Sequence, residues 1–488
     1  MTSRLLACLV ALPLTGCGVV AGTVVDTAEA IVTYPLKEWV FWGAYRYDNP
    51  WDEPWAPLPD THDEGEWLVG VCLSGGGSRS AYFAACVLEA LGRARIPGSH
   101  ETWLDELDLI SSVSGGSLAA TYFVANRGRA GFPAERREFF QRMRQDMALD
   151  FELRALARIL CGWGFPLAMT YYDRGDLMAS VWDSNFFDDL TFGDLPPDGP
   201  TLLVNAACYR SGQRFVFTRQ PLAELDGARL FDDLAGERLL TRGYGPGHAP
   251  LRAMSMETLG SSIARCPLST GVVASAAVPN LLGPVRLRDR VRGRDVHLGD
   301  GGIYDNHGLE TMVAALARRL ERDPGKRAVV FVVDGTGFFD TEAEKAGDLE
   351  TVADFSDRPV TIAWLRASSY AEPFFRRALA SATAGPGGGE APAITFVPIS
   401  LYDDAGFRRR GDEDDDGLAE RLRQLARRGT VGLVEDLNER LRAVGTRFSI
   451  TDDDCSAIAA ATPAIVRSAL ARYGPPAPPV EPQELTGR

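Results

Sequence analysis

The stretch that decides the fold is residues 107–122, LDLISSVSGGSLAATY. Its first seven residues form an apolar run with β-forming side chains, which is the pattern of a short buried strand. Gly115 and Gly116 then allow a sharp turn, and small and apolar residues from Ser117 onward begin a helix. Ser114 is therefore predicted to lie at a strand–turn–helix corner.

This corner is the arrangement of a nucleophile elbow, written G-x-S-x-G. The tight turn lifts the serine hydroxyl above the sheet, and the following helix N-terminus faces any oxyanion that forms. Here Ser112 stands where the first glycine is expected, and serine is small enough for the same close packing. An ordinary strand-to-helix turn with a serine N-cap is the alternative interpretation.

The composition sets the class of protein. The chain has 488 residues, of which 45% are hydrophobic, so it is long enough for one large α/β domain with insertions or for two domains. A net charge of −15 argues against nucleic acid as a partner and against electrostatic docking on anionic lipid. Five histidines are few for a metalloenzyme, and neither HExxH nor CxxC spacing occurs, so we predict no metal and no cofactor.

The N-terminus has the pattern of a targeting sequence. Arg4 precedes a short apolar run, Leu5–Leu14, which is too short to span a bilayer and is typical of a signal peptide. The following LTGC, Leu14–Cys17, resembles a bacterial lipobox, so residues 1–16 are predicted to be removed and Cys17 to be acylated. Gly18 after the cysteine favours the outer membrane if the host is Gram-negative. A plain signal peptide is the alternative.

A glycine run separates the first clear strand, Trp67–Leu73, from a helical pattern over residues 81–95. This run, SGGGSRS at residues 74–80, could cradle an anion with its backbone N–H groups. The Walker pattern fails because no lysine is present, and the dinucleotide pattern fails because Ser80 replaces its third glycine. Nucleotide binding is therefore not predicted.

A third glycine-bearing strand end follows a short predicted strand at residues 295–298. Asp300 stands before Gly301 and Gly302, and a helix is predicted over residues 308–320. Chemistry in open α/β sheets gathers at the C-terminal ends of strands, so Asp300 is expected beside Ser114. Further strands are predicted at residues 201–209, 214–218, 284–288, 327–334 and 395–401.

An acidic run at residues 412–417 matches the first six positions of a calcium loop. Position 12 of such a loop should be glutamate and is Arg423 here, so a solvated acidic loop is the preferred interpretation.

The three strand ends occur in the order GGGSR, SVSGG and DGG. This order of motifs resembles that of the patatin-like phospholipase family, in its bacterial branch, and is similar to the order in cytosolic phospholipase A2. The resemblance spans about residues 67–335. It implies a three-layer α/β/α fold with a mainly parallel central sheet, and a lipid acyl hydrolase acting on phospholipids or other acyl-ester lipids.

The resemblance also implies roles for individual residues. Ser114 attacks the ester carbonyl and Asp300 takes its proton directly, with no histidine between them. Arg79 either holds the glycine loop through a salt bridge or meets a lipid phosphate, and Gly301 and Gly302 support the turn after Asp300. The oxyanion is held by backbone N–H groups of Gly75, Gly76, Gly77 and Gly115.

Two histidines near Asp300 raise the alternative of a Ser-His-Asp triad. His297 precedes Asp300 by three residues on the same strand, so it is expected to point to the opposite face. His307 is expected to lie at the start of the next helix.

The resulting domain organisation has four parts. Residues 1–16 form the signal peptide, and residues 17–66 form a lipid-anchored tether and lead-in. Residues 67–472 form the hydrolase domain, with an insertion at about 128–200 and a helical part at 417–472. Residues 473–488 form a disordered tail. The alternative functions are a non-phospholipid esterase or thioesterase and a non-catalytic lipid-binding protein of the envelope. The oligomeric state is left open.

Overall fold

The computed structural model describes residues 53–59, 62, 65–127, 136–158, 174–225, 252–279, 282–336, 394–402, 441, 444 and 448–475. The predicted signal peptide, Cys17, the acidic run at 412–417 and most of the predicted tail lie outside these residues.

The described residues form one mixed, mostly parallel sheet of eight strands. In chain order the strands are β1 (Trp67–Leu73), β2 (Leu107–Val113), β3 (Thr201–Cys208), β4 (Arg214–Phe217), β5 (Val285–Asp289), β6 (Arg294–Asp300), β7 (Arg327–Asp334) and β8 (Ile394–Ser400). Their order across the sheet is β5-β6-β3-β2-β1-β7-β8, and β4 pairs with β3 beside this path. The strands β3, β2, β1, β7 and β8 are mutually parallel, whereas β4, β5 and β6 join through antiparallel pairs.

Helices cover both faces of this sheet. In chain order they are α1 (Gly77–Leu91), α2 (Gly115–Arg127), α3 (Arg136–Met147), α4 (Phe151–Arg158), α5 (Arg174–Trp182), α6 (Leu268–Ser275), α7 (Leu309–Arg322) and α8 (Asp452–Tyr473). Side chains of β1 show the division, because Val69, Val71 and Leu73 join a core with α1, α2 and α8. Leu68 and Cys72 join a second core with α7. The predicted three-layer α/β/α arrangement is therefore confirmed.

Complete burial explains why the central strands were recognisable in the sequence. All seven residues of β1 and all seven of β2 are buried, so both read as apolar runs rather than as alternating patterns. The predicted bounds of β1, β2 and β7 agree with the structure. Among the described residues, no helix has the length and apolar character needed to cross a membrane.

Two helices begin earlier than their sequence patterns indicate. Helix α1 starts at Gly77 rather than Ala81, and α2 starts at Gly115 rather than Ser117. Glycine is a poor helix former, so the pattern placed both starts after the glycines. Their actual starts bring two helix N-termini to the strand ends.

Candidate active site

The predicted strand–turn–helix corner at Ser114 is present. Ser114 follows β2 directly with a φ of +51°, in the left-handed region that few non-glycine residues occupy. A side chain at Gly115 would place its Cβ 2.1 Å from the carbonyl oxygen of Gly77, and one at Gly116 would lie 2.4 Å from that of Leu73. Glycine is thus required after Ser114, because the elbow packs directly against the backbone of β1 and α1.

Asp300 reaches Ser114 across the sheet. In the β2–β3 pair, Val113 lies opposite Asn205, and in the β3–β6 pair Ala206 lies opposite Asp300. The residues that end β2 and β6 are therefore neighbours across β3. β6 is antiparallel to β3, and only its last three residues pair with that strand.

The Asp300 carboxyl group is buried and hydrogen-bonded. It accepts the hydroxyl of Ser114, and its Oδ1 accepts the N–H of Gly302 at 2.7 Å. Burial raises the pKa of Asp300 to about 7, although both hydrogen bonds favour the ionised form and oppose the shift. A carboxyl group with this pKa changes its charge near neutral pH, while it is in contact with the hydroxyl of Ser114.

The glycine-rich loop brings backbone N–H groups to the same place. Gly76 is the N-cap of α1 with a φ of +144°, and Gly77 is the first helical residue. The first N–H groups of a helix lack acceptors within the helix and carry a partial positive charge. Because Gly115 packs on Gly77, the N-termini of α1 and α2 converge beside Ser114.

The structure corrects the assignment of Gly75 as an oxyanion donor. Its N–H donates to the carbonyl oxygen of Asn306 at 3.0 Å, so this N–H is already occupied. A Cβ on Gly75 would lie 2.4 Å from Oδ1 of Asn306 and 3.2 Å from the Cβ of Ser114. Gly75 is a glycine because the loop passes close to the serine. Gly76, Gly77 and Gly115 remain as the candidate donors.

A network of buried hydroxyl and amide groups, absent from the sequence-based prediction, holds the elbow from below. Ser275 of α6 accepts the backbone N–H of Ser114 at 2.9 Å, donates to the carbonyl oxygen of Asn205 at 2.5 Å, and lies 2.9 Å from the hydroxyl of Ser117. The amide of Asn205 donates to Oγ of Ser111 at 2.9 Å and to the carbonyl oxygen of Ser112 at 3.0 Å. Every member is buried, so each bond satisfies a group that water cannot reach.

The only signal for this network in the sequence is polarity in apolar surroundings. Asn205 interrupts the strand TLLVNAAC, and Ser275 lies within an otherwise small and apolar segment. Neither feature identifies a partner, because Ser114 and Ser275 are 161 positions apart.

The glycines after Asp300 are required by close packing. A Cβ on Gly301 would lie 2.3 Å from the carbonyl oxygen of Asn205, and one on Gly302 would lie 2.6 Å from Oδ1 of Asn306. The supporting role predicted for both glycines therefore has a physical basis. A side chain at Gly301 would meet the backbone of β3, and one at Gly302 would push against the side chains of Asn306 and Asp300.

Arg79 is almost completely buried, at 2% exposure. Its Nε donates to the carbonyl oxygen of Gly335 at 2.9 Å, and its Nη1 donates to that of Val444. These bonds tie the start of α1 to the end of β7 and to the C-terminal part of the chain. They support the holding role, through carbonyl acceptors, over contact with a lipid phosphate.

The two histidines lie apart from the Ser114–Asp300 contact. His297 is exposed, on the face of β6 opposite to that of Asp300. His307 is buried, and its Nε2 lies 3.4 Å from Oδ1 of Asp334 at the end of β7. Burial lowers the pKa of His307, but the Asp334 carboxylate outweighs it and the net shift is upward. His307 thus forms an ion pair with Asp334 and is not interposed between Ser114 and Asp300.

The family model described as patatin-like phospholipase matches residues 71–313. Comparison with curated proteins gave no match.

Two solved structures of human GIVD cytosolic phospholipase A2 were also found. The first shares 13% sequence identity at a TM-score of 0.37, covering 83% of this chain and 61% of the other. The second, a complex with methyl gamma-linolenyl fluorophosphonate inhibitor and terbium chloride, shares 15% identity at a TM-score of 0.36, covering 85% of this chain and 59% of the other. The chain thus spans about three fifths of the length of these structures.

The matched residues begin inside β1 and end inside α7, so they include the glycine-rich loop, the elbow and the DGG turn. Residues 71–313 of this chain belong to the patatin-like phospholipase family.

Proposed function

We propose that the protein is a lipid acyl hydrolase of the phospholipase A type, with Ser114 as nucleophile and Asp300 as general base. The observation that carries the proposal is that the ends of β2 and β6 meet across β3, which brings Ser114 beside the buried carboxyl group of Asp300. The family match supports lipid acyl chemistry, and the contact supports the choice of these two groups.

The first half-reaction acylates the serine. Asp300 accepts the hydroxyl proton as Oγ of Ser114 forms a bond to the ester carbonyl carbon. The resulting oxyanion is held by the N–H groups of Gly76, Gly77 and Gly115, at the N-termini of α1 and α2. Asp300 then gives its proton to the departing alcohol oxygen, so the lysolipid leaves and an acyl-serine remains.

The second half-reaction restores the enzyme. A water molecule gives a proton to Asp300 as its oxygen attacks the acyl carbon. The tetrahedral intermediate then collapses, Oγ of Ser114 recovers the proton, and a fatty acid is released. No net proton is gained by the site in either half.

The raised pKa of Asp300 makes a single carboxylate suited to this task. A base with a pKa near 4 accepts a hydroxyl proton poorly, whereas a base near 7 is stronger and still ionised in part at neutral pH. The driving force improves by about 1.4 kcal/mol for each unit that the pKa rises.

We also propose that the protein is a bacterial lipoprotein anchored in the cell envelope through acylated Cys17. The support is the lipobox-like segment after a short apolar run. Mass spectrometry of the membrane fraction should find a mature N-terminus at an acylated Cys17, and an unmodified N-terminus elsewhere would contradict this.

The function is tested by product analysis on defined lipids. Wild type, Ser114→Ala, Asp300→Asn and the control Ser99→Ala are incubated with phospholipid vesicles, and released fatty acid and lysolipid are measured by mass spectrometry. Ser99 is an exposed residue of the loop between α1 and β2, away from the site. Wild type and Ser99→Ala should release both products, and the other two variants should not.

A parallel set of substrates separates the alternatives. Turnover of short esters or acyl thioesters, with no turnover of phospholipid, would assign the site to an esterase or thioesterase. Absence of turnover on every ester, with wild-type binding of lipid, would indicate a lipid-binding protein.

A further inference from the structure

The hairpin of β5 and β6 is strongly basic within an acidic protein. Its sequence from Val285 to Asp295, VRLRDRVRGRD, contains five arginines and two aspartates, whereas the whole chain carries a net charge of −15. The arginines are Arg286, Arg288, Arg290, Arg292 and Arg294. β5 ends the described strand order, so the hairpin lies at the margin of the sheet.

The register of the hairpin divides its side chains between two faces. Leu287 pairs with Val296, and both are buried in the core. Arg288 pairs with Asp295, and Arg286 pairs with His297, on the opposite, outer face. The arginines therefore do not contribute to the core.

The arginines near the tip remain accessible although they make ion pairs. Arg292 and Arg294 both lie near Asp289, with N–O distances of 3.1 and 3.8 Å, yet 46% and 44% of their side chains are exposed. Arg290, between β5 and Val291, is also exposed. The carboxylate of Asp289 is buried, so the charge presented to solvent at the tip is predominantly positive.

Two exposed apolar side chains lie at the same tip. Val291 is 67% exposed and Trp55 is 38% exposed. The N–H of Trp55 donates to the carbonyl oxygen of Gly260 at 3.2 Å, and a Cβ on Gly260 would lie 2.9 Å from Cγ2 of Val291. The backbone of Trp55 and the side chain of Val291 therefore both lie next to Gly260, close to Arg290.

We propose that this tip, formed by Trp55, Val291, Arg290, Arg292 and Arg294, is a docking surface for membranes that contain anionic phospholipids. Guanidinium groups bind phosphate oxygens in bidentate fashion, and an exposed tryptophan and valine suit the boundary between headgroups and acyl chains. A nucleic acid could also bind the arginines, but it would leave the exposed tryptophan and valine without an apolar partner.

β6 connects the tip to the candidate active site, because it begins at Arg294 and ends at Asp300. β6 runs seven residues from Arg294 to Asp300, roughly 20 Å at the rise of a strand. Tyr209, which is 44% exposed, packs over Gly299, the residue before Asp300 on β6. Docking at the tip would therefore hold the strand that carries Asp300 at a fixed distance from the lipid.

From the net charge of the whole chain we expected no electrostatic docking on anionic lipid. The local positive charge at the tip overrides that expectation. Electrostatic attraction to a membrane is set by charges within about 10 Å of it, so distant acidic residues are screened.

The test is vesicle binding by full-length protein that can neither hydrolyse lipid nor be acylated. All proteins carry Ser114→Ala and Cys17→Ala. Their co-sedimentation is measured with vesicles of phosphatidylcholine alone and with vesicles that also contain phosphatidylglycerol. We expect binding only to the second kind, weakening as salt is raised.

Charge variants locate the contact. Replacing Arg290, Arg292 and Arg294 by glutamine should weaken vesicle binding about 100-fold. Each cation near an anionic membrane contributes about fivefold in affinity, and three are removed. The control neutralises three exposed arginines of α7 and α8, Arg322, Arg467 and Arg472, and should bind as the parent does. The backbone N–H at position 292 donates to Asp289 at 2.9 Å, and this bond does not depend on the arginine side chain. Melting curves verify that the triple variant is folded.

A second variant tests the apolar contribution. Trp55→Ala with Val291→Ala should weaken binding while leaving its salt dependence unchanged. Equal binding by the triple variant and its control, equal binding to both kinds of vesicle, or displacement from vesicles by a DNA duplex would overturn the proposal. Because every protein here lacks Ser114, these results do not depend on whether the chain hydrolyses lipid.

Discussion

The burial of Asp300 has a consequence for stability that can be measured without a substrate. Asp300→Asn removes the ionisable group while keeping an oxygen that can accept the N–H of Gly302 and an amide that can contact Ser114. We expect this substitution to stabilise the protein at alkaline pH, even though it abolishes turnover.

The sign follows from proton linkage. The pKa of Asp300 is raised from an ordinary value of 3.8 to about 7 in the folded protein. Between these values the folded state holds a proton that the unfolded state has released, so the stability due to this group is present at low pH and falls as pH rises towards 7.

The magnitude follows from the same shift. Stability decreases by about 1.4 kcal/mol per pH unit within this window. Between pH 5 and pH 8 the wild type should therefore lose about 3 kcal/mol from this group alone, and the asparagine variant should lose none of it. Because Asp300 is 2% exposed, screening by solvent reduces this value little.

The assay is urea unfolding of both proteins at several pH values from 5 to 8. The quantity of interest is the difference in unfolding free energy between variant and wild type, in which the other titrating groups cancel. It should increase by about 3 kcal/mol over this range in favour of the variant. The control Asp323→Asn changes an exposed carboxylate and should give a difference that is flat with pH. A flat difference for Asp300→Asn as well would refute a buried, protonated Asp300.

Three further outcomes are expected. The value of kcat/KM should rise with pH through a midpoint near 7, because only ionised Asp300 accepts a proton; a midpoint near 4 in a pH–rate profile would contradict this. Gly115→Ala should lower kcat at least 100-fold, because its Cβ would meet the carbonyl oxygen of Gly77 at 2.1 Å, whereas Gly325→Ala, with its nearest contact at 3.5 Å, should retain activity. Ser275→Ala leaves the N–H of Ser114 without its acceptor, so urea unfolding should show a loss of about 1–3 kcal/mol and kcat should fall more than KM changes; equal stability would contradict the role of the network.

The elements that could be predicted from sequence are those fixed by local patterns. β1 and β7 are mainly apolar runs, and β2 is an apolar run interrupted by an aspartate and two serines and followed by a glycine pair, so their type and their ends were visible. Ser114 and Asp300 were identifiable because each stands at a strand end directly before a pair of glycines, which leaves few structural alternatives.

The direction of β6 could not be predicted, because strand direction is set by how the chain crosses between sheet positions. The sequence places Asp300 at a strand end, and a parallel or an antiparallel strand satisfies that equally. The structure shows the antiparallel case, in which β6 meets β3 over only three residues.

Long-range hydrogen bonds account for the remaining differences. Gly75 looked like an oxyanion donor because it belongs to the glycine run, but the carbonyl of Asn306 takes its N–H. Ser275 and Asn205 support the elbow from positions 161 and 93 residues away from their partners Ser114 and Ser112. Pairings of this kind depend on the complete fold, so local patterns contain no signal for them.

The most direct test of the central claim is covalent labelling of the nucleophile. A fluorophosphonate ester is incubated with wild type, Ser114→Ala and Asp300→Asn, and the modified residue is located by peptide mass spectrometry. We expect a single phosphonyl adduct on Ser114 in the wild type, none in Ser114→Ala, and labelling at least 100-fold slower in Asp300→Asn, because the hydroxyl has lost its base. An adduct on another serine, or labelling of Asp300→Asn at the rate of wild type, would contradict the assignment of Ser114 as nucleophile and Asp300 as its base.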